Sequence, residues 1–279
     1  MKMEVRDLSF SYGDRNILHD VSFEADGNSI VSILGPNGVG KTTLLRCLCN
    51  LHRPQTGSIT VDGDDILTLS GRDLAKRIGF VPQSTRPIRS TVFDTALIGR
   101  RPYIEWGVTR KDEQITWDVL RALKLDHLAL RYADEISGGE YQKVQIARAM
   151  VQEPDILVLD EPTNNLDIAN QHTTMHSILN AVASRGMCTI MTMHDINLAV
   201  HYSDRFIFVK DGTVYACGGH EIITEDLIRD VYGIDAEVIT HRGMPFVIPR
   251  PFPTELAHYH HTHDGSTHSH EVRGIGGVR

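Results

Sequence analysis

Gly35-Pro36-Asn37-Gly38-Val39-Gly40-Lys41-Thr42-Thr43 fits the pattern G-x-x-x-x-G-K-[ST], with Gly35, Gly40, Lys41 and Thr42 in the fixed places. The apolar run Ser29-Ile30-Val31-Ser32-Ile33-Leu34 precedes it and predicts a buried strand. Thr43-Leu44-Leu45-Arg46-Cys47-Leu48 follows and predicts the start of a helix. Strand, glycine loop and helix together make the context of a phosphate site. Glycines let backbone N–H groups turn inward around phosphates, and the helix N-terminus adds its partial positive charge. Lys41 would reach the β- and γ-phosphates of a nucleotide, and the Thr42 hydroxyl would ligate Mg²⁺.

A second stretch, Ile136-Ser137-Gly138-Gly139-Glu140, combines two glycines with a capping box. Ser-x-x-Glu ahead of Val144-Gln145-Ile146-Ala147-Arg148-Ala149 starts a helix at Ser137. The glycines just inside that start allow an anion to approach the free N–H groups. Next comes Ile156-Leu157-Val158-Leu159, a continuous apolar run that suits a strand buried on both faces, ending in Asp160-Glu161. Two carboxylates at such a strand end suit a Mg²⁺ holder, Asp160, and a residue that orients or deprotonates an attacking water, Glu161.

These elements resemble the ATP-binding cassette (ABC) family. Residues 136–140 are similar to its signature loop, usually Leu-Ser-Gly-Gly-Gln, with Ile136 and Glu140 departing from the common form. Asp160-Glu161-Pro162-Thr163 is similar to its Walker B segment. The resemblance implies further roles. Tyr12 would stack on adenine, and Gln83 in Phe80-Val81-Pro82-Gln83 would couple Mg²⁺ and the attacking water to a membrane partner. Asp167, in Asn164-Asn165-Leu166-Asp167, would lie on the loop crossing a dimer seam, where the family usually has Ser-Ala before Leu-Asp. His194, after the apolar run 188–193, would contact the γ-phosphate. The implied catalytic set is Glu161, His194, Gln83 and Lys41. Contacts to ATP would come from Tyr12, the loop 35–43, Ser137, Gly138, Gly139 and Asp167, with Mg²⁺ at Thr42, Gln83 and Asp160. Two copies would enclose two ATP molecules head to tail, each between one copy's phosphate loop and the other's Ser137-Gly138-Gly139.

Bulk properties agree. The chain has 279 residues, 41% hydrophobic and 23% charged, with a formal net charge of −8, which gives no pointer to nucleic acid. No apolar run reaches the roughly 18 residues of a spanning helix, and residues 1–6 carry no apolar leader. Cys47, Cys49, Cys188 and Cys217 fit no disulfide framework or zinc spacing. A cytoplasmic protein, peripheral on the inner face of the membrane, is expected.

The expected fold is α/β: a P-loop NTPase core with a mixed sheet, an antiparallel β subdomain from residues 3–34, and an inserted α-helical subdomain at about 84–153, all within 1–249. Phe206-Ile207-Phe208-Val209 and Thr213-Val214-Tyr215 predict a hairpin around Asp211-Gly212. Residues 250–279 read as a proline-rich linker and a histidine-rich tail expected to be disordered, with His258, His260, His261, His263, His268 and His270 as candidate ligands for a divalent metal.

Stretches such as His194-Asp195-Ile196-Asn197-Leu198-Ala199 resemble the iron-siderophore, haem and cobalamin importers. That resemblance implies separate permease subunits and, indirectly, an extracytoplasmic substrate-binding protein. The alternatives are a cassette ATPase of Fe–S cluster assembly, or an importer for zinc or molybdate. Arg86, Arg89, Arg100 and Arg101 form either a permease-docking surface or a solvated basic face.

Overall fold

Met3, Val5, Leu8 and Phe10 alternate with more exposed residues and are buried along one side of a long N-terminal strand, as a sheet with one solvated face requires. The computed structural model describes residues 1–164 and 166–250; Asn165 and residues 251–279, with all six candidate tail histidines, lie outside the described residues. In chain order the strands are β1 (Lys2–Tyr12), β2 (Arg15–Asp26), β3 (Ile30–Leu34), β4 (Thr56–Val61), β5 (Asp64–Asp65), β6 (Ile78–Val81), β7 (Ile156–Asp160), β8 (Cys188–Thr192), β9 (Arg205–Lys210), β10 (Thr213–Gly218), β11 (Ala236–His241) and β12 (Met244–Pro249). The helices are α1 (Lys41–Leu48), α2 (Gly71–Arg77), α3 (Val92–Leu97), α4 (Arg110–Ala122), α5 (Gly138–Met150), α6 (Ile168–Arg185), α7 (Ile196–Tyr202) and α8 (Glu225–Tyr232).

An antiparallel sheet in the order β2-β1-β4-β5 lies over a six-stranded sheet, β10-β9-β3-β8-β7-β6. From β9 to β6 the six-stranded sheet is parallel; β10 joins it antiparallel through the Asp211-Gly212 turn. Both turn residues have positive φ, 48° and 77°, which suits a tight two-residue hairpin. The continuous apolar runs follow from burial on both faces. Along β7, Ile156 and Val158 join a core with β1, β4 and α1, while Leu157 and Leu159 join a second core with α5, α6 and α7. Cys47 and Cys49 are buried in the first core, and that burial pushes the Cys47 thiol up to about 12, leaving it an unreactive core residue.

The insertion between β6 and β7 is helical, with α3, α4 and α5 and no strand element among them. Thr109 caps α4 in a reciprocal box with Asp112. Strands β6 and β4 and the terminal hairpin β11–β12 are additions to what the sequence pattern indicates.

One expectation is corrected here. Arg100 does not belong to a basic face. Its side chain is 3% exposed, donates from Nε to Asp112 Oδ1 at 2.9 Å, and donates from Nη1 to the Val151 carbonyl and Glu153. The guanidinium also sits over the Tyr103 ring, 4.0 Å from its centre. Arg86, Arg89 and Arg101 do reach the surface. Removing Arg100 would strand the Asp112 carboxylate in the interior. Arg100→Ala should therefore cost about 3 kcal/mol in urea unfolding; a loss within experimental error would show the ion pair to be dispensable.

Candidate nucleotide-binding and catalytic site

Parallel register brings the functional residues together. The strands β3, β6, β7 and β8 all end at one edge of the sheet, and ligands bind beyond the carboxyl ends of such strands. There lie Gly35 after β3, Gln83 after β6, Asp160-Glu161 at the end of β7 and His194 after β8.

The phosphate loop is set by backbone constraints. Gly35 has φ 147°, and a β-carbon on it would sit 2.2 Å from the Val209 carbonyl oxygen. Gly40 has φ 105° and precedes α1 as its N-cap. Lys41 is buried and donates from Nζ to the carbonyls of Gly35 at 2.7 Å and Pro36 at 2.8 Å. Burial lowers its pKa from the ordinary lysine value, while Glu161 and Asp160 pull in the opposite direction. A cavity of about 430 Å³ opens over this loop, lined by Tyr12, Asn37, Gly38, Lys41, Thr42, Thr43 and Glu161, with Arg15 and Ile17 on its rim.

Glu161 is the centre of the constellation. It is 7% exposed and has φ 51°, a left-handed conformation unusual for a non-glycine residue. Gln83 Nε2 donates to its Oε2, Asn164 Nδ2 donates to the same oxygen at 3.1 Å, and His194 Nε2 meets its Oε1. Asp160 is 2% exposed; its Oδ1 accepts from Thr42 Oγ1 at 3.1 Å and from Thr192 Oγ1 at 2.8 Å. A hydroxyl and a carboxylate oxygen side by side below the phosphate loop are hard donors of the kind Mg²⁺ takes. These residues fit that ion.

Four expected residues stand apart from this cluster. Ser137 caps α5, and Gly138 and Gly139 begin it. The Ser137 backbone N–H donates to Glu140 Oε2 at 2.9 Å and its hydroxyl donates to the same oxygen at 2.7 Å, while the Glu140 N–H donates back to the Ser137 hydroxyl oxygen at 3.3 Å, so the reciprocal cap forms. Those bonds from Ser137 hold the Glu140 carboxyl below the ordinary range. A β-carbon on Gly138 would meet nothing within 4 Å, so its surface is open to another molecule. Asp167 caps α6, accepting from the Asn170 N–H at 2.8 Å.

Two contributors escape sequence reasoning. Thr192, the last residue of β8, accepts from the Glu161 N–H at 2.9 Å while donating to Asp160, and so fixes both acids; in the sequence it is one more residue of a strand, and only the fold buries it fully. His52 braces Tyr12, with Nε2 2.7 Å from the phenol oxygen and its ring stacked on Phe10.

The sequence profile described as "ABC transporter" matches residues 18–164. The chain belongs to this family. It is therefore an ATP-binding cassette and an ATPase. The cassette is 49% identical over 249 residues to an uncharacterised ABC transporter ATP-binding protein of Methanocaldococcus jannaschii, covering 89% of this chain and 98% of that one. It is 33% identical to the petrobactin import ATP-binding protein FpuD of Bacillus anthracis, covering 92% and 97%. It is 36% identical to the hemin import ATP-binding protein HmuV of Gloeobacter violaceus, covering 84% and 89%. Among solved structures it is similar to a putative metal-chelate type ABC transporter in an inward-facing conformation, with TM-score 0.77 and 29% identity over 91% of this chain and 98% of that one. No described helix is long and apolar enough to cross a membrane.

Thr192→Val keeps the shape of the side chain and leaves the Glu161 N–H and an Asp160 lone pair without partners. The cassette should lose about 1–3 kcal/mol of stability and lose kcat, with ATP affinity nearly unchanged. Unaltered turnover in a folded variant would remove Thr192 from the support of the two acids.

Proposed function

We propose that the chain is the ATP-hydrolysing subunit of an importer for a metal chelate of the iron-siderophore or haem type, working with separate permease subunits at the inner face of the cell membrane. The observation that carries this reading is the near full-length similarity to petrobactin, siderophore and hemin import ATP-binding proteins, alongside the metal-chelate type transporter among solved structures. An extracytoplasmic binding protein would deliver the cargo to the permease.

The geometry supports the following cycle. Tyr12 stacks on adenine. The β- and γ-phosphate oxygens replace the Gly35 and Pro36 carbonyls as acceptors for Lys41, with the N–H groups of loop 35–43 around them. Mg²⁺, when held by Thr42 and Asp160 with Gln83 beside them, would neutralise charge on the β- and γ-phosphates. A second copy docks head to tail, so that its Ser137, Gly138 and Gly139 face the γ-phosphate and its Asp167 lies on the seam. Glu161 orients the attacking water and takes its proton on a carboxylate oxygen. His194 turns from Glu161 to the γ-phosphate, and Gln83 passes the closing motion to the permease.

Glu161→Gln keeps the shape and most hydrogen bonds but cannot accept that proton. Turnover should fall by about 100-fold or more, and the variant should accumulate as an ATP-bound dimer on a sizing column. Near wild-type hydrolysis would take Glu161 out of the base role. The cargo assignment is tested by reconstituting the chain with its co-purifying permease. Ferric siderophore or haem, with binding protein, should stimulate the ATPase; stimulation by zinc or molybdate alone, or co-purification with an Fe–S scaffold in place of a permease, would overturn it.

A further inference from the structure

Phe10, Tyr12 and His52 form a closed set of three rings beside the nucleotide cavity. Tyr12 stands edge-on to Phe10 and to His52, with ring centres 4.9 and 5.4 Å away, while the Phe10 and His52 rings stack 5.2 Å apart and within 11° of parallel. Phe10 is buried, whereas Tyr12 is 45% exposed and lines the cavity. His52 Nε2 and the Tyr12 phenol oxygen share a hydrogen bond of 2.7 Å. An exposed tyrosine has several staggered rotamers open to it. Packing on two rings and a bond at its far tip select the observed one.

The brace comes from the far end of the phosphate helix. α1 begins at the phosphate loop with Lys41 and Thr42 and ends at Leu48. Beyond it the Asn50 N–H donates to the Cys47 carbonyl at 2.9 Å, and the N–H groups of Leu51 and His52 donate to the Arg46 carbonyl at 2.8 and 3.2 Å. The backbone of His52 is thereby fixed to the last turn of α1. Three residues on, Gln55 grips β1. Its side chain accepts from the Ser11 N–H at 2.8 Å and donates to the Ser11 carbonyl at 3.2 Å, and its own N–H donates to the Ser9 carbonyl at 2.9 Å. Residues 50–55 thus tie the end of β1 to the end of α1. The helix that holds the phosphate loop at its start fixes the aromatic ring at its end. A nucleotide that meets both then binds without the cost of ordering either.

We propose that His52 is a positioning residue that sets the tilt of Tyr12 as a base platform and so gives the site a preference for purine over pyrimidine nucleoside triphosphates. The inference rests on the place of Tyr12 beneath the base in the proposed cycle. A stacking platform reads the π-face of a base rather than its hydrogen-bonding edge. A purine covers more of the ring than a pyrimidine does, and loses more when the ring turns. His52 acts through Tyr12 alone.

The test is calorimetric binding of ATP, CTP and inorganic triphosphate to the full chain, with steady-state kinetics for the two nucleotides. His52→Ala should raise Kd and KM about fivefold for ATP and about twofold for CTP, with kcat and triphosphate affinity held. His52→Gln places an amide nitrogen near the Nε2 position and should restore most of the ATP affinity. Tyr12→Phe removes the same hydrogen bond, so combining it with His52→Ala should cost less than the sum of the two. Arg53→Ala, next to His52 and exposed, should change none of these values, and circular dichroism checks that each variant folds. ATP affinity unaltered by His52→Ala but lost in Tyr12→Ala would overturn the role of His52 and leave the stacking in place. ATP affinity unaltered by Tyr12→Ala would remove the stacking itself. Equal losses for ATP and CTP, or any loss for triphosphate, would overturn the proposal, because the change would then lie in the phosphate loop or the loop 50–55 and not in the platform.

Discussion

Parallel pairing of β3, β6, β7 and β8 is the constraint on which the rest of the cassette depends. It forces four strand ends to one edge and so gathers residues as distant in sequence as Gly35, Gln83, Glu161 and His194. A one-residue slip of β7 would turn Asp160 and Glu161 to opposite faces and exchange the two cores. The alternation of Ile156 and Val158 toward one core and Leu157 and Leu159 toward the other holds the register. Packing and chemistry are thus specified by the same six residues, Ile156 to Glu161.

Within that frame, Glu161 concentrates the cost. Its backbone is left-handed, its carboxylate is nearly buried, and three side chains converge on it. Such strain persists only where surrounding structure over-determines it. The surroundings here are Thr192, which holds the Glu161 N–H, and the loop running through Thr163 and Asn164. Lys41 and His194 are both satisfied by contacts within the chain, to loop carbonyls and to Glu161.

The legible parts of the fold had local causes. The phosphate loop, the Ser137–Glu140 cap and the Asp211-Gly212 turn are each decided by a few neighbouring residues, and each stands where the sequence places it. Contacts set by register were not legible: nothing near Gln83 announces Glu161 in the chain, and Thr192 looks like one more strand residue. Arg100 was misread because Arg100-Arg101 looks like a charged surface; only the fold brings Asp112, Glu153 and the Val151 carbonyl around one of the two. The hairpin β11–β12 gave little signal because it turns through Arg242-Gly243 rather than Asn-Gly, and most of its residues stay exposed.

On the proposed function, the site at Glu161 is incomplete until a second copy brings Ser137 to Gly139 to it. Mixing a Lys41→Ala chain with a Ser137→Arg chain tests this most directly. The mixed dimer has one site with both halves damaged and one with both intact. Each variant alone should be inactive, and ATP hydrolysis should return on mixing in proportion to the mixed dimers seen by sedimentation. Mixed dimers that form with ATP and never hydrolyse it would contradict the shared-site arrangement.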